Sequence, residues 1–154
     1  MQAMWIYGCF VIGVTMSLAS AQGFAPFGFM DQECLDCFCQ ASSSCDLNIG
    51  CNNVGPSQYY CGPFQISFSY WQDGGSPGSD PNDPLDFEIC LNNRRCAEAA
   101  VRGYMTKWGR DCDNNGVVNC YDFARIHMAG PYGCNGTWVL TTDFWTRFKA
   151  CYRF

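Results

Sequence analysis

The second half of the chain places apolar residues at helical spacing. The clearest example ends near Trp108, and its apolar residues recur at intervals of three and four, at Ala97, Ala100, Val101, Tyr104, Met105 and Trp108. Charged side chains take the opposite face, and Gly109 is well placed to end the helix. The pattern therefore predicts an amphipathic helix that packs against a core.

Two more helices are predicted towards the carboxyl terminus. Asn119 can cap the first of them, because its side-chain oxygen can accept from a free backbone N–H. The inner face of that helix holds Cys120, Phe123, Ala124 and His127. Thr142 can cap the last helix in the same way. Its inward residues are Phe144, Trp145, Phe148 and Cys151.

The first half of the chain is less regular. A short helix is predicted from Cys34 to about Ser44, and Gly and Pro make residues 22–30 an extended arm. Residues 48–58 are rich in Asn, Gly and Pro, which is typical of turns and a small hairpin. The aromatic stretch up to Trp71 is predicted to be helical after Gly62-Pro63, because Pro is tolerated in a first turn. Residues 72–86 are turn-forming and predict a surface loop.

The amino terminus has the pattern of a secretory signal. Trp5 to Leu18 is apolar and uncharged, and Ala19-Ser20-Ala21 forms a small-x-small cleavage pattern before Gln22. The apolar run is shorter than the ~20 residues of a membrane span, so a membrane anchor is the weaker alternative. We expect residues 1–21 to be a signal peptide and residues 22–154 to be one secreted domain.

The cysteines identify the redox environment. The chain has 13 cysteines, and all except Cys9 lie between Cys34 and Cys151. Removal of the signal would leave an even number, which in a secreted chain predicts six disulfides. Zinc at Cys34 and Cys37 is the alternative, but the single histidine, His127, is distant in sequence.

Charge and aromatic content limit the class of partner. The net charge of −5 argues against nucleic acid as a ligand, because phosphates repel an acidic surface. Aromatic residues make up 16% of the chain. That content favours either a dense core or a groove in which sugar rings stack on aromatic side chains.

Several spaced motifs together resemble one protein family. They are Cys34-Leu-Asp-Cys37-Phe-Cys39, Cys61-Gly-Pro-Phe-Gln-Ile66, Tyr70-Trp71-x-Asp73, Tyr104-Met105, Asp111-Cys112 and Phe123-Ala-Arg-Ile-His127. Their order resembles that of the invertebrate-type lysozymes, a group that includes the destabilases. The resemblance implies an α+β fold, a mostly helical, disulfide-rich lysozyme-like single domain with a small β portion. It also implies a glycan cleft between the helices and the sheet.

The same resemblance implies a disulfide pattern. Many family members have two further cysteines, where this chain has Gly74 and Ala100, so both partners of one bridge are missing together. The implied pairs are Cys34–Cys120, Cys37–Cys151, Cys39–Cys45, Cys51–Cys61, Cys90–Cys96 and Cys112–Cys134.

The family's catalytic positions do not carry carboxylates in this chain. Glycoside hydrolysis with retention needs one protonated and one ionised carboxyl group about 5 Å apart. By resemblance the acid falls on Ser42 and the second group on Asn53. A shift of the second assignment by one position, to Asn52 or Val54, does not supply a carboxylate either. Candidate glycan-binding residues, on family position, are Ser42, Asn53, Gln65 and Tyr70. The catalytic set is therefore predicted to be empty.

Other acidic residues are weaker candidates for the missing chemistry. Asp46, Asp36 and Asp73 are each interpreted as solvated or structural charges. Destabilases have also been assigned an isopeptidase activity that uses a Ser and a Lys. Here Ser57 can match the Ser, but Ser67 stands at the Lys position, so a Ser–Lys dyad is unsupported.

Two further features concern His127 and a possible metal. A lone His on the inner face of a helix is more often a hydrogen-bonded core residue than a catalytic base.

One segment resembles an EF-hand calcium loop. It is Asp111-Cys-Asp113-Asn-Asn115-Gly116, with Asp122 at the twelfth position. The cysteines within it favour a disulfide-bounded turn, so no metal or cofactor is expected. Asn135-Gly136-Thr137 is an N-glycosylation sequon.

The sequence thus predicts a secreted lysozyme-like protein without muramidase activity. Its expected partners are peptidoglycan or chitooligosaccharide glycans, bound in defence or digestion, and neither nucleic acid nor membrane is expected. The alternative is an active lysozyme that hydrolyses the β-1,4 bonds of peptidoglycan with substitute carboxylates. A purely structural protein is the third possibility.

Overall fold

The computed structural model describes residues 30–56, 58–80 and 83–153. The predicted signal peptide, most of the predicted extended arm, and Ser57 lie outside these residues. The described chain contains a small sheet and a set of helices, none of which is long and apolar enough to cross a membrane. In chain order these are α1 (Gln32–Ser43), β1 (Cys51–Asn53), β2 (Tyr59–Cys61), β3 (Ile66–Ser67), α2 (Phe68–Asp73), α3 (Pro84–Leu91), α4 (Arg94–Trp108), α5 (Cys120–Gly133), a 3-10 helix (Thr137–Thr141) and α6 (Asp143–Cys151).

Helix α1 lies in the centre of the core. Asp31 caps it by accepting from the Cys34 N–H at 2.7 Å. Its inner side chains are fully buried, and Phe38 packs edge-on against Phe144 and Phe148 of α6. The helix predicted from Cys34 to about Ser44 is therefore present, and α6 packs against it.

The three helices predicted from apolar periodicity are confirmed. Gly109 ends α4, and Asn119 begins α5 with a capping box in which the Asp122 side chain accepts from the Asn119 N–H. Thr142 begins α6 and accepts from the Trp145 N–H at 3.1 Å. Helix α5 is interrupted near its end, because Gly130 has a φ of 69°.

The predicted hairpin is confirmed, whereas the helix predicted directly after Gly62-Pro63 is wrong. Strands β1, β2 and β3 form an antiparallel sheet in that order, in which Cys61 pairs with both Cys51 and Ile66. Gly62 has a φ of 69°, and a Cβ there would lie 1.8 Å from the Leu91 carbonyl oxygen. The chain therefore turns at Gly62 and forms β3 before α2 begins.

The region predicted as a loop ends earlier than expected. Asp83 caps α3, with Pro84 in the first turn, so Asp86 belongs to a helix. The Asp86 side chain is buried and accepts from the Asp80 N–H at 3.0 Å. Its carboxylate thus anchors the preceding turn on α3.

Six disulfides join the helices and the sheet, and their pairing is the one that the family resemblance implies. They are Cys34–Cys120, Cys37–Cys151, Cys39–Cys45, Cys51–Cys61, Cys90–Cys96 and Cys112–Cys134. The first two connect α1 with α5 and α6, and therefore cross-link the centre of the core.

Helices α2 and α4 meet backbone to backbone at the position of the missing bridge. A Cβ on Gly74 would lie 2.3 Å from the Ala100 carbonyl oxygen, and one on Gly103 would lie 2.0 Å from the Gly74 carbonyl oxygen. Both distances are far below van der Waals contact. The small residues thus allow α2 to approach α4 more closely than side chains would permit.

Candidate functional site

A cleft opens between the sheet and helices α1, α2, α4, α5 and α6. It has two adjoining compartments of about 360 and 230 Å³. The larger, here called the Ser42 compartment, is lined by Ala41, Ser42, Tyr60, Phe64, Gln65, His127, Met128, Phe144 and Arg147. The smaller, the Tyr70 compartment, is lined by Tyr60, Gln65, Ser67, Ser69, Tyr70, Asp73, Tyr104, His127, Met128 and Gly130. Four residues line both compartments, so the cleft is continuous.

His127 lies where the two compartments join. Its Nε2 is 3.2 Å from the Phe64 carbonyl oxygen and 3.4 Å from Ser42 Oγ. Its Nδ1 is 3.0 Å from the Tyr70 hydroxyl. A carbonyl oxygen can only accept a hydrogen bond, so Nε2 carries the proton and donates a hydrogen bond to the Phe64 carbonyl oxygen. Nδ1 then accepts from the Tyr70 hydroxyl, and this pair of bonds determines the tautomer.

Burial keeps the polar groups of the cleft floor neutral. It lowers the pKa of His127 to about 4, although the hydrogen bond to the Phe64 carbonyl acts in the opposite direction. Burial likewise raises the pKa of Tyr70 well above its usual value, and that of Tyr104 to about 12. The rings of Tyr70 and Tyr104 stack with their centroids 3.6 Å apart. The floor is therefore uncharged and aromatic near neutral pH.

The Ser42–His127 contact does not form a nucleophilic dyad. Ser42 Oγ faces an N–H group, whereas activation of a serine requires an unprotonated nitrogen that can take its proton. An imidazole with a pKa of about 4 is also a weak base at neutral pH. The arrangement is that of a hydrogen-bonded structural histidine at the cleft floor.

The low pKa of His127 predicts a stability that falls in acid. Between pH 6.5 and about 4 the unfolded chain binds a proton that the folded chain does not. The free energy of unfolding should therefore decrease by up to about 3 kcal/mol as the pH falls through this window. His127→Gln should lose this component, and the difference between the two denaturation profiles measures it. Because the chain has one histidine, a single imidazole NMR signal should titrate near pH 4; titration near 6.5 would contradict the account.

Asp73 is the one carboxylate among the described residues that line the cleft. Its oxygens lie 2.5 Å from Lys107 Nζ and 3.1 Å from Trp108 Nε1. The Lys107 hydrogen bond holds the pKa of Asp73 below its usual value. Asp73 is therefore ionised near neutral pH and cannot serve as the proton donor of glycoside hydrolysis.

The other acidic candidates lie outside the two compartments. Asp46 accepts from the Asn48 N–H at 2.9 Å in the turn after α1. Asp36 forms a salt bridge with Arg94 on the outer side of α1. Both carboxylates have local structural partners, in agreement with their interpretation as structural charges.

Of the four candidate glycan-binding residues, three meet in the cleft. Ser42, Gln65 and Tyr70 line it, and Gln65 reaches both compartments. Asn53 instead lies at the exposed end of β1, where its Oδ1 accepts from the Gly55 N–H at 3.1 Å. Ser67, which occupies the position of the isopeptidase lysine, lines the Tyr70 compartment and caps α2.

Sequence reasoning missed Tyr60, Met128 and Arg147 as cleft residues. Arg147 lies three positions after Phe144, which was predicted to face inward from α6. Residues three apart share one face of a helix, so this spacing could have indicated Arg147. Tyr60 gave no such signal, since its orientation depends on the pairing of β2 with two neighbouring strands.

The Asp111–Asp122 segment brings three carboxylates together. Oxygens of Asp111, Asp113 and Asp122 all lie within 4.8 Å of one another. The buried Asp122 accepts from the N–H groups of Cys112, at 2.8 Å, and Asn119, at 2.9 Å. These bonds make Asp122 a support of the turn that the Cys112–Cys134 disulfide fastens to α5.

Comparison with known proteins is consistent with this geometry. A family model described as Destabilase matches residues 31–151. Lysozyme 1 of Crassostrea virginica is 38% identical over 86% of this chain and 65% of its own length. An invertebrate-type lysozyme of Ruditapes philippinarum is 36% identical over 85% of this chain and 88% of the relative. A lysozyme of Magallana gigas is 40% identical over 66% of this chain and 66% of its own length, so the chain spans slightly less than two thirds of this relative and of the Crassostrea virginica one.

Solved structures have the same fold. The lysozyme of Meretrix lusoria, crystallised in complex with Aeromonas hydrophila PliI, is 34% identical and has a TM-score of 0.65. That match covers 81% of this chain and 95% of the other. The lysozyme of Tapes japonica is 34% identical with a TM-score of 0.62, over 79% of this chain and 90% of the other. The expected lysozyme-like α+β fold is confirmed.

Proposed function

Since the chain belongs to the destabilase family of invertebrate-type lysozymes, we propose that it binds peptidoglycan or chitin-type glycans without hydrolysing them. The observation that carries the proposal is the lining of the Ser42 compartment. It includes no carboxylate among the described residues. The cleft nevertheless keeps polar and aromatic side chains that can bind a sugar. Ser42 occupies the position at which the family resemblance implies the general acid.

The cleft has the properties of a saccharide site. Its larger compartment, at about 360 Å³, falls within the range of small-molecule sites, which have apolar walls and a few fixed polar groups. Tyr60 and Phe144 offer aromatic surface to sugar rings, while Gln65 and Ser42 offer hydrogen-bonding groups. These features support binding of an acetylated amino sugar.

The same lining argues against hydrolysis. A serine hydroxyl does not release a proton near neutral pH, so Ser42 cannot protonate a glycosidic oxygen. Asp73 is ionised and paired with Lys107. General acid catalysis contributes about 10²–10⁴-fold to such reactions, and its loss removes most of the acceleration.

The proposal includes secretion. Residues 1–21 form the signal peptide, and the six disulfides suit an oxidising compartment. Asn135 is exposed between α5 and the 3-10 helix, where an oligosaccharide transferase can reach the sequon.

The test combines two assays on secreted protein whose six disulfides have been verified by peptide mapping. We expect no lysis of a Gram-positive cell-wall suspension by turbidity, and chitotetraose binding by calorimetry. Gln65→Ala should weaken that binding several-fold, whereas Gln72→Ala, an exposed glutamine outside both compartments, should not. Wild-type lysis that is abolished by Asp73→Asn or Asp46→Ala would establish the active-lysozyme alternative. Absence of any glycan binding would favour a structural role.

A further inference from the structure

The Ser42 compartment contains one cationic side chain, Arg147 of α6. Its Nη1 lies 3.5 Å from the carbonyl oxygen of Ala41, the residue that precedes Ser42. In the described part of the chain no carboxylate forms a salt bridge with it. Even Asp143, four positions earlier on the same helix, is not its partner. The guanidinium thus lies at the cleft wall with most of its donors free.

The two compartments differ in charge. In the Tyr70 compartment the single carboxylate, Asp73, is neutralised by Lys107. In the Ser42 compartment the family resemblance implies an acid, but Ser42 contributes none, so Arg147 has no opposing charge there. His127 does not add to this charge, because its low pKa keeps it neutral above about pH 4. The cleft therefore has a cationic end and a neutral end.

Building on the proposed function, we propose that Arg147 is a specificity-determining residue that makes the cleft prefer glycans bearing a carboxylate over neutral ones. The planar guanidinium can donate two parallel hydrogen bonds to a carboxylate, a geometry that an amide or hydroxyl cannot match. The sugar that bears the carboxylate occupies the Ser42 compartment. A neutral N-acetylated sugar then occupies the Tyr70 compartment, against the uncharged tyrosines.

The negative net charge of the chain means that Arg147, and not the overall charge, must account for any preference for anionic glycans. At −5 the protein as a whole repels polyanions. A preference for a carboxylate must therefore come from a local contact, and it should be strongest with short oligosaccharides at moderate ionic strength. Added salt should reduce it, because Arg147 is solvent-exposed.

The experiment compares three tetrasaccharides by calorimetry with the full secreted protein. The first alternates N-acetylglucosamine with peptide-free N-acetylmuramic acid, the second is the same molecule with its lactyl carboxyls converted to amides, and the third is chitotetraose. We expect the acid to bind about three- to tenfold more tightly than its amide, as for a partly exposed ion pair with good geometry. Arg147→Gln should abolish that difference by weakening binding of the acid, while the affinities for the amide and for chitotetraose should change less. Arg153→Gln, an exposed arginine beyond the end of α6, is the matched control and should behave like wild type.

Each outcome separates this inference from the proposed function. Equal binding of acid and amide by the wild-type protein overturns the role of Arg147 and leaves glycan binding intact; this comparison needs no variant. Loss of all three ligands in Arg147→Gln, with an unchanged unfolding midpoint, also overturns it, since the residue then holds any glycan. Failure of wild type to bind any of the three contradicts the proposed function itself.

Discussion

Replacement of Ser42 by Glu together with Asn53 by Asp is expected to produce cell-wall lysis at least about 100-fold above the wild-type background. The double variant places a proton donor in the Ser42 compartment and a second carboxylate on β1, outside the two compartments. The gain is expected to come mainly from the proton donor, because general acid catalysis alone is typically worth 10²–10⁴-fold. Phe64 and Phe144 line the compartment around residue 42. Their apolar surface should raise the pKa of a carboxyl there, which favours the protonated form.

The matched control is the Ser42→Gln and Asn53→Asp double variant. Gln has nearly the shape of Glu but cannot donate a proton to a leaving group, so this protein should stay inactive. Turbidity assays measure lysis, and near-ultraviolet circular dichroism checks that both variants keep wild-type packing. Equal activity in the two variants would show that the gain does not come from acid catalysis.

Removal of the Cys37–Cys151 disulfide is expected to destabilise the protein far more than removal of Cys51–Cys61. The first bridge closes a sequence separation of 114 residues and the second one of 10. The chain-entropy relation gives about 4.8 kcal/mol for the long loop and about 2.7 kcal/mol for the short one. The long bridge also joins α1 to α6, whose buried aromatic rings form the core beside the cleft.

Paired Cys→Ala variants compared by guanidinium denaturation at pH 7 measure both effects. The two proteins differ in the bridge removed but not in the type of substitution, so each is the control for the other. A shift of the midpoint that is equal in both would contradict the entropic account. Glycan binding should persist in the Cys51→Ala and Cys61→Ala protein, because neither cysteine lines the cleft.

Local signals in the sequence were sufficient for some helices and insufficient for others. Helix α4 was predictable because its apolar stripe and its terminal glycine are both local. Helix α3 was not, since Leu85 and Ile89 are exposed while the charged Asp86 is buried. The turn at Gly62 was also unpredictable, because it depends on contact with Leu91, which lies far along the chain.

In the candidate site, too, some features could be predicted from the sequence and others could not. The family resemblance was enough to select Ser42, Gln65 and Tyr70, which line the cleft, but it also selected Asn53, which does not. The spacing of Arg147 from Phe144 places the two residues on one face of α6, but the compartment that this face lines depends on the packing of α6 against α1. The tautomer of His127 depends on a carbonyl of the β2–β3 turn. Such long-range arrangements have no signature in a single stretch of sequence.

The close approach of α2 to α4 also affects how the cleft responds to reductant. Helix α2 contributes Tyr70 and Asp73 to the Tyr70 compartment, and it contains no cysteine. Its attachment at Gly74, Ala100 and Gly103 is steric rather than covalent. Thiols can therefore cut the bridges of α1 without acting directly on this wall. A disulfide between α2 and α4 would require two simultaneous substitutions and a wider spacing of the helices. A cysteine at residue 74 alone would clash with the Ala100 carbonyl oxygen and leave an unpaired thiol.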